Sequence, residues 1–222
     1  MGTVDHIKRN AEELLKSLPP HITLLAAAKT RTVEEVKAAF DAGIRCFGHN
    51  YVQEAQAMIA AVDFNAEWHM IGHLQRNKAG GAVELFDMIG SLDSIRLANE
   101  LEKRCTEQNK SIEVLIEVNS GAEDDKTGAM PGDAAALAEA VSGLPHLRLA
   151  GLMTMGPLSG EVELARPYFR KTRELFEQIK RYHLPGSEMH MLSMGMSGSY
   201  QAAIEEGATI VRIGTLLFGP RT

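Results

Sequence analysis

Short apolar runs alternate along this chain with longer segments whose apolar residues recur at helical spacing. The runs fall near 22–28, 45–47, 67–71, 87–90, 112–118, 147–153, 188–192 and 209–213, which predicts eight strands. Between them lie amphipathic patterns such as Val33, Val36, Ala39 and Phe40, or Ile95, Leu97, Ala98, Leu101 and Cys105. Tyr168, Phe169, Leu175, Phe176 and Ile179 make another. A further helix over 3–17 leads the chain, carried by Val4, Ile7, Ala11, Leu14 and Leu15 and stopped by Leu18-Pro19-Pro20.

Runs such as LLAAA and IEVLIEV lack the alternation of a strand with one wet face, so both faces are covered and the sheet is parallel. Strand–helix units in unbroken succession favour closure into a single (β/α)8 TIM-type barrel with an extra N-terminal helix. An open doubly wound sheet satisfies the same pattern if the strand count is off by about one or two. No linker or low-complexity stretch divides residues 1–222, so one domain is expected. Its site should lie at the C-terminal ends of the strands.

Composition narrows the function classes. A formal charge of −6 provides no basic surface for nucleic acid and argues against an anionic membrane. No apolar stretch approaches the roughly 18 residues of a membrane-spanning helix, and MGTVDHIKRN has no apolar signal core. A cytoplasmic protein is expected. Cys46 and Cys105 have no metal-ligand spacing and read as reduced thiols without an assigned role.

Two segments at opposite ends of the chain carry candidate chemistry. Lys29 follows Leu24-Leu25-Ala26-Ala27-Ala28 at the tip of the first strand. Taken alone it is a strand-end lysine reaching for water. On the site face of a barrel it is an amine that burial and nearby cations make nucleophilic, with small alanines leaving room for a planar ligand. Ser193–Ser199, SMGMSGS, reads as a loop before a helix containing Ala202, Ala203 and Ile204, with serine as its N-cap. The same N–H groups can hold a phosphate, and Gly214-Thr215 offers a second set after the last strand. A phosphorylated aldehyde answers both ends, and pyridoxal 5′-phosphate is the obvious candidate. Arg212, between Val211 and Ile213, is hard to expose; against a pyridine nitrogen it would keep that nitrogen unprotonated and weaken the ring as an electron sink. Met155 ends the sixth strand, where it packs or touches a ring. His69 and His73, four apart, lie in a strand pattern without a carboxylate partner, so no metal site is expected.

These residues sit in ordered blocks: AKTRT around Lys29, FGHNYVQEA at 47–55, WHMIGHLQRNK at 68–78, KTG at 126–128, GLMTM at 151–155, LSMGMSGSYQAAI at 192–204 and VRIGTLLFG at 211–219. Over nearly the whole chain they resemble the pyridoxal phosphate homeostasis protein family, itself similar to the N-terminal barrel of alanine racemase. The resemblance implies that Lys29 carries the cofactor as a Schiff base. It implies that Ser197 and the N–H groups of Gly214 and Thr215 hold the phosphate, that Arg212 meets the pyridine nitrogen, and that Asn50 lies beside the ring. Ala28 stands where the family usually has serine, His49 where it has glutamate in FGENY, and Ser199 where an aspartate follows SMGMS.

The resemblance implies a non-catalytic holder of pyridoxal phosphate acting in vitamin B6 homeostasis, with PLP-dependent apo-enzymes as possible recipients and a monomeric state. A PLP-dependent amino-acid racemase is the alternative. Racemisation needs acid–base groups on both faces of the α-carbon, and the second domain that supplies the opposing tyrosine in alanine racemase is not expected in this chain. Tyr51 and Tyr200 are the tyrosines left near the site. A cofactor-free lysine aldolase would explain Lys29 but not Arg212 beside the phosphate turns.

Overall fold

The computed structural model describes residues 3–123, 125–157 and 162–220. The elements run α1 (Thr3–Ser17), β1 (Thr23–Ala27), α2 (Val33–Asp41), β2 (Cys46–His49), α3 (Val52–Ala61) and β3 (Glu67–Met70). A single 3-10 turn, Arg76–Lys78, leads into α4 (Ala79–Leu85), β4 (Met88–Leu92), α5 (Ile95–Gln108), β5 (Ile112–Glu117), α6 (Ala134–Ser142) and β6 (Leu147–Met153). The chain ends with α7 (Val162–Lys180), β7 (Ser187–Met196), α8 (Tyr200–Glu205), β8 (Ile210–Ile213) and α9 (Thr215–Phe218). The strands pair in sequence order, all parallel, and β8 closes on β1 with Leu25 opposite Arg212 and Ala26 opposite Ile213. Closure bears out the barrel and removes the open-sheet alternative. The leading helix falls where its apolar spacing put it.

Two apolar layers hold the barrel. Outward-facing residues such as Leu24, Phe47, Trp68, Ile116 and Val211 pack against the helices in one continuous core. Inward-facing residues fill the lumen in two small clusters, Leu25 with Cys46 and Ile210, and Met88 with Leu115, Ala150 and Met153; Met191 packs against both. Strand alternation assigns each residue to lumen or helix layer. Asn10 of α1 donates through Nδ2 to the carbonyls of Leu216 (3.2 Å) and Leu217 (3.1 Å), tying the leading helix to α9. Among the described residues no helix is long and apolar enough to cross a membrane.

The structure corrects the reading of residues 193–199. Strand β7 does not stop near 192 but runs to Met196, and its register with β8 shifts between the Ser193–Ile210 and Met196–Arg212 pairs. The glycine and serine content masks a bulged strand end, because Met194 is fully buried and Gly195 takes a φ of +90°. A Cβ at Gly195 would stand 2.5 Å from the Ala203 Cβ, so only glycine permits α8 to lie this close. Ser199 precedes α8, yet its side chain caps nothing there; its Oγ accepts the Met196 N–H at 3.2 Å and braces the bulge.

Gly151 tests how tightly the closed sheet packs. A Cβ built there lies 1.8 Å from the Met191 carbonyl oxygen of the neighbouring strand. Gly151→Ala should therefore destabilise the barrel by about 2 kcal/mol or more in urea unfolding. Gly132→Ala, with nothing within 4 Å of its Cβ, should change stability little.

Candidate functional site

The C-terminal rim of the barrel gathers most of the residues singled out from the sequence. Lys29, half-buried, lies two residues past Ala27; Asn50 lies two past Gly48, and Ala27 and Gly48 are register partners. The two therefore stand side by side at the ends of neighbouring strands. Asn50 lines a cavity of about 340 Å³ together with Tyr51, Met70 and His73. That cavity depends on Gly72, whose Cβ would come within 2.6 Å of the Asn50 carbonyl oxygen.

The turn that carries Lys29 is strained and tied down. Thr30 has φ of +62°, a conformation a β-branched residue rarely adopts and one that costs on the order of 1–3 kcal/mol. Its N–H donates to the Glu54 carboxylate of α3, and the Arg31 N–H donates to the Ala28 carbonyl at 3.1 Å. Thr32 then forms a capping box with Glu35 that starts α2. Arg31 reaches across the rim to the Gly219 carbonyl at 2.8 Å. The AKTRT block thus fixes where the lysine stem leaves the barrel.

Across the closure, Ser197 and the segment after β8 converge. Ser197 Oγ accepts N–H bonds from Gly214 (3.3 Å) and Leu216 (3.2 Å). Thr215 lies between those donors. Leu216 was not among the residues expected from sequence, because a backbone donor leaves no mark in residue type. The two N–H groups converge on the Ser197 hydroxyl oxygen, so backbone donors and a hydroxyl, the elements of an anion cradle, lie together here.

Arg212 is buried, with its guanidinium held on several sides. Nη1 donates to the Ser193 carbonyl and hydroxyl, both at 2.8 Å, and Nη2 to the Thr154 carbonyl at 2.8 Å. Met155 Sδ lies 3.5 Å from Nη2; this half-exposed methionine stands two residues past the end of β6 rather than closing the strand as the sequence suggested. Burial pushes the guanidinium down to about 10 while the field of Glu117 opposes it, so Arg212 stays charged at neutral pH. Glu117, also buried, ends β5 facing the lumen and accepts the Thr127 hydroxyl at 3.0 Å. Burial raises its carboxyl above the ordinary value, against the lowering by Thr127 and Arg212. Sequence reading missed Glu117, yet it bears the signal that marked Lys29: a charge ending an apolar strand.

The departures from the family blocks find distinct settings. Ala28 is fully buried with its N–H on the Gly48 carbonyl at 2.9 Å. His49 faces the helix layer, stacked on Trp68 with centroids 5.8 Å apart. Its ring nitrogens are buried without hydrogen-bond partners, and Glu54 Oε2 is 3.8 Å from Nδ1. His69 and His73 separate: His73 pairs with Asp93 at 3.1 Å, while His69 turns into the lumen toward Cys46 and Glu67.

Both the sequence and the fold have counterparts among known proteins. The model of the alanine racemase N-terminal domain matches residues 3–222. The pyridoxal phosphate homeostasis protein of Aquifex aeolicus is 44% identical over 89% of this chain and 86% of its own length. That of Escherichia coli is 38% identical, over 91% and 87%. PipY of Synechococcus elongatus superposes with a TM-score of 0.91 at 36% identity, covering 96% of this chain and 100% of PipY. The structure of PipY with PLP bound gives 0.88 at 34%. An alanine racemase of Clostridium difficile gives 0.85 at 13% identity, covering 98% of this chain and 57% of that one, which is a likeness of fold.

His49 makes the packing between sheet and helices acid-sensitive. Burial lowers its pKa, against the raising effect of Glu54, so the folded protein holds it neutral where the unfolded chain begins to protonate it. Its contribution is present above the ordinary histidine value of about 6.5 and is lost as pH falls from there through its lower folded value. The unfolding midpoint should drop from pH 7 to pH 5, and His49→Leu should flatten that slope.

Proposed function

The chain belongs to the alanine racemase N-terminal domain family, and from that premise we propose that it binds pyridoxal 5′-phosphate on Lys29 and serves vitamin B6 homeostasis without catalytic turnover. One observation carries the reading: the half-buried lysine, the fixed Arg212 and the N–H donors focused on Ser197 Oγ meet at one rim of the barrel. The names of the homeostasis relatives and the PLP bound to PipY support it.

The residues present fit the group at both ends. When bound, pyridoxal phosphate supplies an aldehyde that condenses with a primary amine and a ring that withdraws electrons. Lys29 provides the amine, and the strained Thr30 turn sets its direction. Ser197 with the Gly214, Thr215 and Leu216 backbone takes the phosphate. Asn50 and Met155 would lie beside the ring. Arg212, held by Ser193 and Thr154, keeps its proton and would be the residue to meet the pyridine nitrogen, where a permanent cation would leave that nitrogen unprotonated. A weak electron sink suits holding better than turnover.

The domain acts as a monomer in the cytoplasm, buffering the cofactor for PLP-dependent apo-enzymes. A racemase would require a second proton-transfer group opposite Lys29. Tyr51, 67% exposed, stands at the rim, while Tyr200 opens α8 and packs on the core.

Mixing the protein with pyridoxal phosphate should give a visible absorption band, and borohydride should then fix the label on Lys29, with neither seen in Lys29→Ala. A label that persists elsewhere in that variant overturns the assignment. Ser197→Ala should weaken cofactor affinity roughly tenfold or more, the loss of a hydrogen bond to a charged group. Incubation with alanine in D2O should show no α-deuteration above the free-cofactor rate; exchange above it would establish the racemase.

A further inference from the structure

The opposite mouth of the barrel holds a cluster that the cofactor site does not use. Cys46 opens β2 and Glu67 opens β3, and they are register partners with both side chains on the lumen side. His69 lies two residues beyond Glu67 on the same face of β3. Its Nε2 is 3.5 Å from Cys46 Sγ and 2.7 Å from Glu67 Oε1. Cys46 and His69 are each 3% exposed, while Glu67 reaches an open cleft of about 660 Å³ lined also by Arg45, Asp87, Lys110, Glu113 and Arg148. Thiol, imidazole and carboxylate are the ligand types of zinc sites.

We propose that Cys46 Sγ, His69 Nε2 and the Glu67 carboxylate bind one Zn²⁺ ion at the N-terminal mouth of the barrel, with water from the cleft as fourth ligand. Zn–S and Zn–N bonds of about 2.3 and 2.0–2.1 Å set sulfur and nitrogen roughly 3.6 Å apart in a tetrahedron, close to the separation here. The His69–Glu67 contact must open by roughly 0.6 Å to accept the ion, and the Glu67 side chain, 50% exposed, has the freedom to do so. Two rigid strands position the remaining ligands without loop movement.

The local field favours a cation. Glu67 and Asp87 bring two carboxylates to the mouth beside the Cys46 sulfur. Their charge attracts Zn²⁺, whose binding releases the thiol proton to solvent and leaves His69 as the neutral Nδ1–H tautomer. The other charges lining the mouth are engaged elsewhere: Arg148 lies 3.8 Å from Glu113, Asp87 accepts the Trp68 N–H at 2.8 Å, Arg45 donates to the Phe40 and Ile44 carbonyls, and Lys110 donates to the Val83 and Glu84 carbonyls. Mixed thiolate, imidazole and carboxylate ligation selects zinc over magnesium or calcium, which prefer oxygen.

Titration of the metal-free full chain with Zn²⁺ alone, and with Co²⁺ as the spectroscopic probe, tests this. One equivalent should bind, the cobalt form should show a sulfur-to-metal charge-transfer band, and Zn²⁺ should raise the unfolding midpoint. Cys46→Ser should abolish the band, and Glu67→Gln, at a half-exposed position that leaves the fold intact, should weaken Zn²⁺ binding tenfold or more. Cys105→Ser and Lys29→Ala should bind as the wild type does. The last of these separates this site from the cofactor site. No binding in the wild type would reduce the cluster to a hydrogen-bonded triad and overturn the proposal. So would a band that survives Cys46→Ser or vanishes in Cys105→Ser, or Zn²⁺ affinity unchanged in Glu67→Gln.

Discussion

Closure of the sheet is the constraint on which the rest of the molecule depends. Strands β1 and β8 are the first and last of the chain, and their pairing sets Leu25 opposite Arg212. Left open in sequence order, the same strands would put Lys29 and Arg212 at opposite edges. Closure is enforced from both sides of the sheet, by lumen residues such as Leu25, Cys46 and Ile210 and by the continuous layer beneath the helices. The tie from Asn10 to the α9 carbonyls and the reach of Arg31 to Gly219 add polar links between the chain's two ends.

Burying a guanidinium inside that barrel costs several kcal/mol unless its donors are satisfied. The bulge in β7 meets this need. It presents both the carbonyl and hydroxyl of Ser193 to Arg212, while Thr154 at the end of β6 supplies another acceptor. Glu117 contributes a compensating field from β5 and is itself held by Thr127 of the KTG block. An irregular strand, a buried acid and a motif threonine thus serve one charge. The strained Thr30 turn has the same character, since a costly conformation persists where Glu54 and Ala28 over-determine it.

The two mouths of the barrel divide the labour. The C-terminal rim is built from loops and strand ends, which can carry unusual backbone without disturbing the core. The N-terminal mouth is built from the strands themselves, so Cys46, Glu67 and His69 gain their spacing from regular pairing. His49, one residue past Gly48 on the same strand, points to neither lumen nor rim but into the helix layer, where its neutral form is the one the packing accepts.

The sequence alone determined the fold class, because continuous apolar runs and helical periodicity are local properties that each segment carries by itself. It also marked Lys29 and Arg212, since a charge inside an apolar strand is anomalous wherever the strand goes. Glu117 bore the same mark and was passed over. Only the tertiary structure decided what those charges meet. The glycine turn pointed to the Gly214 N–H, but its convergence with the Leu216 N–H on the Ser197 hydroxyl is a backbone arrangement that residue type does not record. The continuation of β7 through SMGM reflects the partner strand overriding the turn preference of glycine and serine. Cys46 and His69 lie on different strands, and no linear spacing records that parallel pairing sets them within 3.5 Å. Distances between strands are set by hydrogen-bond register, which exists only once the barrel has closed.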